Sequence, residues 1–473
     1  MEFLNKKFRI MKKISLSILA FAASLTMMGE GYQVNTLSVK QEGMAHTGVA
    51  QKLGSESMIF NPAGMGFMDK TIDISASVSP IFSTATATLE DGSKYKTEND
   101  VSTPLQVSAA FSILDNLKAG ITINTPYGSG INWTDNWPGA TFSQSTKLQV
   151  YNIQPTVAYK ILPNLSVGAG LMIAWGSVDL NKGLLSAASI NSIIPGVVQQ
   201  QLIQQGIPAE MITPELVEKY ASALYLDNDI TPASVNLKGT AEVALGFNVG
   251  AMWDITNNLT IGASYKSKMD MKVKSGDATL SYNIPNETVK EIVQSKLNGL
   301  NNTNFAAQLP AVSQLTFGVT YKPIEKLTLA FDAQMSGWSA YDELEIDFDG
   351  LDAPFDQKLE KNYSDAWAFR LGAQYNLTKR FDLRAGFIVD TTPVDENYYN
   401  PETPGMTRLE PTVGFSFRPT ENFSIDAAFT YITGVSREGS IESKDLLTGQ
   451  SNVFKAKYEI EAFIPAIGIS YSF

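Results

Sequence analysis

From Thr71 to the C-terminus the chain alternates between apolar and polar or small residues, and short polar turns break the alternation at recurring intervals. Phe381, Leu383, Ala385, Phe387 and Val389 share one face, with Asp382, Arg384, Gly386, Ile388 and Asp390 on the other. Phe423, Ile425, Ala427, Phe429 and Tyr431 oppose Ser424, Asp426, Ala428, Thr430 and Ile432 in the same way, and Leu165–Gly176, Val243–Trp253 and Ala368–Leu377 repeat the pattern. Successive side chains of a strand point to opposite sides, so each run predicts a strand with one greasy face. Six turns separate paired runs: Asp115-Asn116, Pro163-Asn164, Asn257-Asn258, Glu325-Lys326, Lys379-Arg380 and Glu421-Asn422, each followed by Leu or Phe. They predict tight hairpins. The long connections, near residues 181–235 and 281–308, fall between them. Six turns join twelve strands, and one further strand at each end (Thr71–Phe82 and Phe454–Phe473) makes fourteen. Short turns at one end, long loops at the other and an even count describe an outer-membrane β-barrel with both termini on the short-turn side. The predicted fold is all-β: a fourteen-stranded antiparallel transmembrane β-barrel with partly helical extracellular loops.

Composition supports this and removes alternatives. The 473 residues are 44% hydrophobic, yet mean hydropathy is only −0.06. A helical membrane bundle needs about 20 consecutive apolar residues per span. One such run exists, Ile14–Met28, preceded by Lys12-Lys13 and followed by Gly29, Glu30 and Gly31. That is the layout of a signal peptide, assigned to residues 1–30 and left out of the fold; Met11 is an alternative start. There is no cysteine and one histidine, His46, so disulfides and Cys/His metal sites drop out and no cofactor or metal is expected. A net charge of −12 argues against nucleic acid as a partner and fits solvated loops. A barrel hydrolase would need an activated nucleophile, and no Gly-x-Ser-x-Gly elbow occurs, so no enzyme is expected.

Between the signal and the first strand, residues 31–70 lack sustained alternation and include Gly43, Gly48, Gly54 and the run Phe60-Asn61-Pro62-Ala63-Gly64-Met65-Gly66. A fourteen-stranded barrel is wide enough to leak unless something fills it. The segment is therefore expected to be a hatch, or plug, in the lumen, with the barrel proper at residues 71–473. Asn61-Pro62 suits a tight turn in which Asn caps its own backbone. Two readings of Asn61, Pro62 and Ala63 stand side by side, a structural turn and a boundary of the ligand path.

The chain resembles the FadL/TodX family of outer-membrane transporters for long-chain fatty acids and other hydrophobic compounds, from about Gly31 to Phe473. Ser57-Met58-Ile59-Phe60-Asn61-Pro62-Ala63 is similar to the family's hatch motif, and Asn124-Thr125-Pro126-Tyr127-Gly128 to its kinked third strand. Ser264-Tyr265-Lys266-Ser267-Lys268, Leu309-Pro310-Ala311, Asp332, Gly337-Trp338-Ser339, Tyr363–Trp367, Arg370-Leu371-Gly372, Leu383–Gly386 and Asp390–Pro393 follow in order. The order along the chain carries the resemblance rather than any one tripeptide. It implies passive uptake across the outer membrane of a Gram-negative bacterium, with a hydrophobic small molecule as ligand.

Three sets of residues are candidates for the path. Ile190, Ile193, Ile194, Val197, Val198, Leu202 and Ile203 recur at near-helical spacing. Thr213-Pro214 opens a second helix bearing Leu216, Val217, Tyr220 and Leu224. Asn286 opens a third with Val289, Ile292, Val293, Leu297 and Leu300. These apolar faces either pack on one another or, as the resemblance implies, form an outer groove that first catches the ligand. In the third strand, Pro126 lacks a ladder donor and Gly128 and Gly130 permit unusual backbone angles, predicting a kink around Pro126, Tyr127 and Gly128. The resemblance implies that the kink opens the wall laterally; the alternative is that the strand ends there. Inward charges at Lys266, Lys322, Asp332, Arg370, Arg384 and Asp426 need partners. Most are expected to pair with each other or with the hatch, and one basic residue is a candidate for a carboxylate headgroup. The partners expected are the hydrophobic ligand and the surrounding outer-membrane lipid and lipopolysaccharide, with the barrel monomeric. The competing functions are a general porin, which needs an open lumen, and a surface adhesin.

Overall fold

The computed structural model describes residues 31–134, 137–351 and 357–473; the signal peptide expected at 1–30 lies outside them. One antiparallel sheet closes on itself through fourteen staves. β1 comprises Ile72–Val78 and Phe82–Thr88, and β2 comprises Lys94–Lys96 and Leu105–Leu114. β3 is Leu117–Asn132, β4 Ser145–Leu162, β5 Leu165–Leu185 and β6 Ala233–Asp254. β7 joins Leu259–Lys266 to Met269–Tyr282, β8 Thr303–Ala311 to Gln314–Ile324, and β9 Leu327–Ser336 to Glu343–Phe348. β10 joins Gln357–Glu360 to Ala366–Asn376; β11 is Phe381–Asp390 and β12 Arg408–Phe417. β13 joins Phe423–Gly434 to Arg437–Lys444, and β14 is Ser451–Ser472. Asp73 of β1 stands opposite Ser472 of β14, which seals the ring. Closure pairs the first and last staves, as a sheet in hydrocarbon requires.

All six predicted turns are hairpins. Asp115-Asn116, Pro163-Asn164 and Glu325-Lys326 are two-residue connections between strands. The other three are longer, at residues 255–258, 377–380 and 418–422. Two of these are built on a threonine hydroxyl. Thr256 Oγ1 accepts from the N–H groups of Asn258 and Leu259, and Thr378 Oγ1 from those of Arg380 and Phe381. The local side-chain bond replaces ladder pairing and widens the turn.

Alternation assigns the faces as predicted. On β10, Phe369 and Leu371 are exposed outward while Ala368 and Arg370 are buried inward. The long loops carry three helices, α1 (Ala187–Gln204), α2 (Pro214–Ala221) and α3 (Glu287–Leu297). Two start where their caps predict, at Thr213 and Asn286, and α1 starts at Ser186, which the sequence reading did not name; the three accept from the N–H groups of Leu216, Val289 and Ser189, satisfying orphan donors of the first turn. The staves rise high at this end, so the connections themselves cover only residues 186–232 and 283–302.

Residues 31–67 are almost wholly buried against inward-facing positions of the sheet. The segment contains the single helical turns Val39–Glu42 and Ser57–Phe60 and the 3-10 turn Pro62–Phe67. It comes close to the wall where the wall is glycine. A β-carbon on Gly372 would stand 2.4 Å from the Met44 carbonyl oxygen, and one on Gly262 would stand 2.1 Å from that of Val49.

Candidate functional site

Above the N-terminal segment the lumen is apolar. A cavity is lined by Tyr32, Leu148, Val178, Met271, Phe305, Leu309, Tyr341 and Ile346, among others. A second cavity lies on its extracellular side, bounded by Phe142, Leu184, Val235, Leu300, Phe348 and Leu446. Thr146, Leu180, Leu344, Ile346 and Glu402 line both, so the two form one stacked chamber. Polar side chains enter this wall: Glu402 lines both cavities and pairs with buried Lys361 at 3.1 Å, and Ser143, Asn181 and Lys182 line the outer one.

The floor is aromatic. Tyr32 meets Tyr127, Trp338 and Tyr341 edge-on, with ring centroids 6.3, 5.0 and 6.0 Å apart. Its hydroxyl donates to the Pro310 carbonyl at 2.5 Å, and the Tyr127 hydroxyl donates to that of Val312 at 3.0 Å. Edge-on packing suits the ring quadrupole, and the anchored hydroxyls fix each ring.

Beneath this floor the wall is incomplete. β3 pairs with β2 only as far as Asn124 opposite Gln106. Beyond it the Pro126 carbonyl accepts from Val34 N–H at 2.9 Å, and Gly128 N–H donates to the Tyr32 carbonyl at 2.8 Å. Pairing with β2's connection resumes where Glu98 N–H donates to Asn132. On its other side β3 slips register against β4 between Asn124 and Tyr127. The strand continues to Asn132 rather than ending at Pro126, and the N-terminal segment takes the place of a neighbouring stave beside it.

The predicted residues fall as follows. Asn61 is fully buried and Nδ2 donates to the carbonyls of Val49 (2.7 Å) and Ala251 (2.9 Å), while Oδ1 accepts from Ala63 N–H at 3.1 Å. Pro62 and Ala63 are buried beside it, with Pro62 against Gly168. Of the groove residues, Ile194, Val198, Val289, Val293 and Leu297 are buried in the cluster that lines the chamber. Ile193, Val197, Leu216 and Ile292 are half-buried, and Tyr220 is exposed. Asp332 Oδ2 accepts from the N–H groups of Gly48 (2.7 Å) and Val49 (3.1 Å). Arg384 donates to Gln374 and Ser416 and lies 3.7 Å from both Asp382 and Asp426. Arg370 donates to Gln334 at 2.9 Å. Lys322 stands exposed at the opposite mouth.

The chamber residues Tyr32, Met271, Phe305, Tyr341, Leu344, Ile346 and Glu402 escaped the sequence reading, as did Lys361, which pairs with Glu402. A signal for several of them exists. In the outer half of the staves the polarity inverts: Glu343, Glu345 and Asp347 face out while Leu344, Ile346 and Phe348 face in. Lys272 and Lys274 likewise face out beside inward Met271 and Val273. Past the lipid belt the outside is polar, and apolar residues on the inner face mark a greasy lumen.

A family model described as "Outer membrane protein transport protein (OMPP1/FadL/TodX)" matches residues 19–473. The chain is 25% identical over 455 residues to outer membrane protein P1 of Haemophilus influenzae, a match covering 90% of this chain and 91% of that one. It is 23% identical over 444 residues to a long-chain fatty acid transport protein of Escherichia coli, covering 89% of this chain and 91% of that one. In fold it is similar to a Pseudomonas aeruginosa FadL homologue, with a TM-score of 0.76 at 19% identity, covering 94% of this chain and 100% of the other.

Proposed function

Because this chain belongs to the outer-membrane transport family that includes FadL and TodX, we propose that it carries long-chain fatty acids or related hydrophobic compounds passively across the outer leaflet. Its place is the outer membrane of a Gram-negative bacterium, with the first and last strands both ending on the periplasmic side. The observation that carries the reading is the stacked apolar chamber, which ends on the Tyr32 floor directly beside the incomplete wall at Pro126.

Each buried methylene contributes about 0.8 kcal/mol, so an elongated acyl chain gains far more in a two-lobed chamber than a small solute does. Lys182 in the outer wall, near the Lys361–Glu402 pair, supports an amphiphile with an acidic head over a plain hydrocarbon, since it sets a cation in an apolar wall. The partly exposed faces of α1, α2 and α3 around Ile193, Val197, Leu216, Tyr220 and Ile292 would form the outer groove. In this reading residues 31–70 act as the hatch, held by Asn61 and Asp332, and the gap at Pro126, Tyr127 and Gly128 is the lateral exit. The buried segment across the lumen weighs against a general porin, which needs a continuous aqueous path.

Native mass spectrometry with lipid extraction on the detergent-purified barrel, paired with palmitate uptake in a deletion strain, tests the proposal. A co-purifying fatty acid and uptake restored by the gene are expected. An empty barrel with steady ion conductance and no uptake of any hydrophobe would sink it.

A further inference from the structure

Below the aromatic floor lies a compartment of different chemistry. Its lining includes Gln33, His46, Pro126, Lys266, Asp332 and Arg370. Its charges do not balance. Lys266 and Arg370 bring two cations, and Asp332 brings one carboxylate. That carboxylate is already engaged, because Oδ2 holds the N–H groups of Gly48 and Val49. Lys266 makes no hydrogen bond or ion pair with any described residue, and the charge that acts on it is that of Arg370, of the same sign. His46 is buried there with Nδ1 lacking a partner. Burial, then the guanidinium groups of Arg370 and Arg408, push its imidazole down to about 3, so it stays neutral. An enclosed ammonium with a like charge as its neighbour is costly unless an anion joins it.

The position gives the excess a use. Pro126 lines this compartment and also sits in the wall gap, where its carbonyl bonds to the N-terminal segment instead of a neighbouring stave. An amphiphile leaving the apolar chamber by that gap must bring its head past Lys266 while its tail turns toward lipid. We propose that the compartment is a transit station for a single carboxylate headgroup, with Lys266 as its principal contact and Arg370 beside it. One surplus positive charge matches one carboxylate, whereas a neutral hydrocarbon gains nothing from it. The inference rests on the transport reading above and adds a second polar stop, separate from the Lys361–Glu402 pair of the chamber.

The test compares palmitate with methyl palmitate, which has the same chain and no charge, in cells lacking other uptake routes. Wild type, K266M and K266R are each checked for a folded barrel by heat-modifiable mobility. Loss of one charge-assisted hydrogen bond predicts that K266M slows palmitate about tenfold and methyl palmitate by less than about twofold, with K266R close to wild type on both. Equal losses on the two substrates, or no loss on either, would overturn the station. If wild type carries methyl palmitate and not palmitate, the station is wrong and the transport reading survives. If it carries neither, both fall.

Discussion

Asn61 lies so close to Gly250 that a β-carbon on the glycine would stand 2.1 Å from Oδ1. The contact joins the N-terminal segment to the wall, and the same carboxamide bonds to the Val49 and Ala251 carbonyls. Gly250→Ala should push Asn61 off both carbonyls and loosen the segment while the barrel still closes. Single-channel recording should then show conductance steps absent from wild type. A G250A barrel as silent as wild type would mean that the segment holds without this contact.

Asp332 offers a second anchor. Asp332→Ala would leave the buried N–H groups of Gly48 and Val49 without their acceptor, at a cost of about 1–3 kcal/mol each. Asp332→Asn keeps a carbonyl oxygen for them and should lie between alanine and wild type. Protease susceptibility after Lys52, with thermal unfolding followed in parallel, gives the order. If alanine and asparagine behave alike, the charge matters and the accepting oxygen does not.

Gln33 and Tyr127 stand directly opposite each other as an isolated antiparallel bridge, with the flanking hydrogen bonds on Val34 and Gly128. Such non-hydrogen-bonded pairs hold their Cα atoms about 4.5 Å apart, within reach of a disulfide. The chain has no cysteine of its own, so Gln33→Cys with Tyr127→Cys can be read cleanly. Oxidation should stop uptake and reductant should restore it, with each single variant insensitive to redox. Uptake that continues with the bond closed would rule out an exit through this gap.

Ile346 borders both halves of the chamber. Ile346→Asp places a carboxylate in an apolar wall and should lower hydrophobe uptake about tenfold, since the group must be desolvated each time a tail passes. Ile346→Leu, of equal volume, should stay close to wild type. Uptake that tolerates the aspartate would place the path elsewhere.

Legibility varied from one part of the molecule to another. The caps at Ser186, Thr213 and Asn286 are local hydrogen bonds, yet only Thr213 and Asn286 stood out, because each is followed by a clear apolar face. The periodicity of α3 shows which face is greasy, and Val289, Val293 and Leu297 do lie on it, whereas α1 is apolar nearly all round and its buried Ile194 and Val198 are not marked off by period. Periodicity does not say whether a greasy face meets protein or ligand. These five pack into the chamber's surrounding core, while Ile193, Val197, Leu216, Tyr220 and Ile292 keep exposed surface. The kink was legible in part. Proline and two glycines mark an irregular strand, but nothing near them in the sequence says that Val34 and Tyr32 will bond there.

By itself the sequence determined the closed sheet, the number of its staves, their inner and outer faces and the end that carries the short turns. Strand period and turn chemistry act over a few residues, and lipid on one side with protein on the other forces the alternation. Only the tertiary structure decided what meets across the lumen. Asn61 reaches Ala251, Asp332 reaches Gly48, and Lys361 pairs with Glu402 across separations of 190, 284 and 41 residues. Those meetings depend on register and on how the staves curve round to face one another, and a one-residue slip of the strand Leu327–Ser336 would turn Asp332 to the lipid.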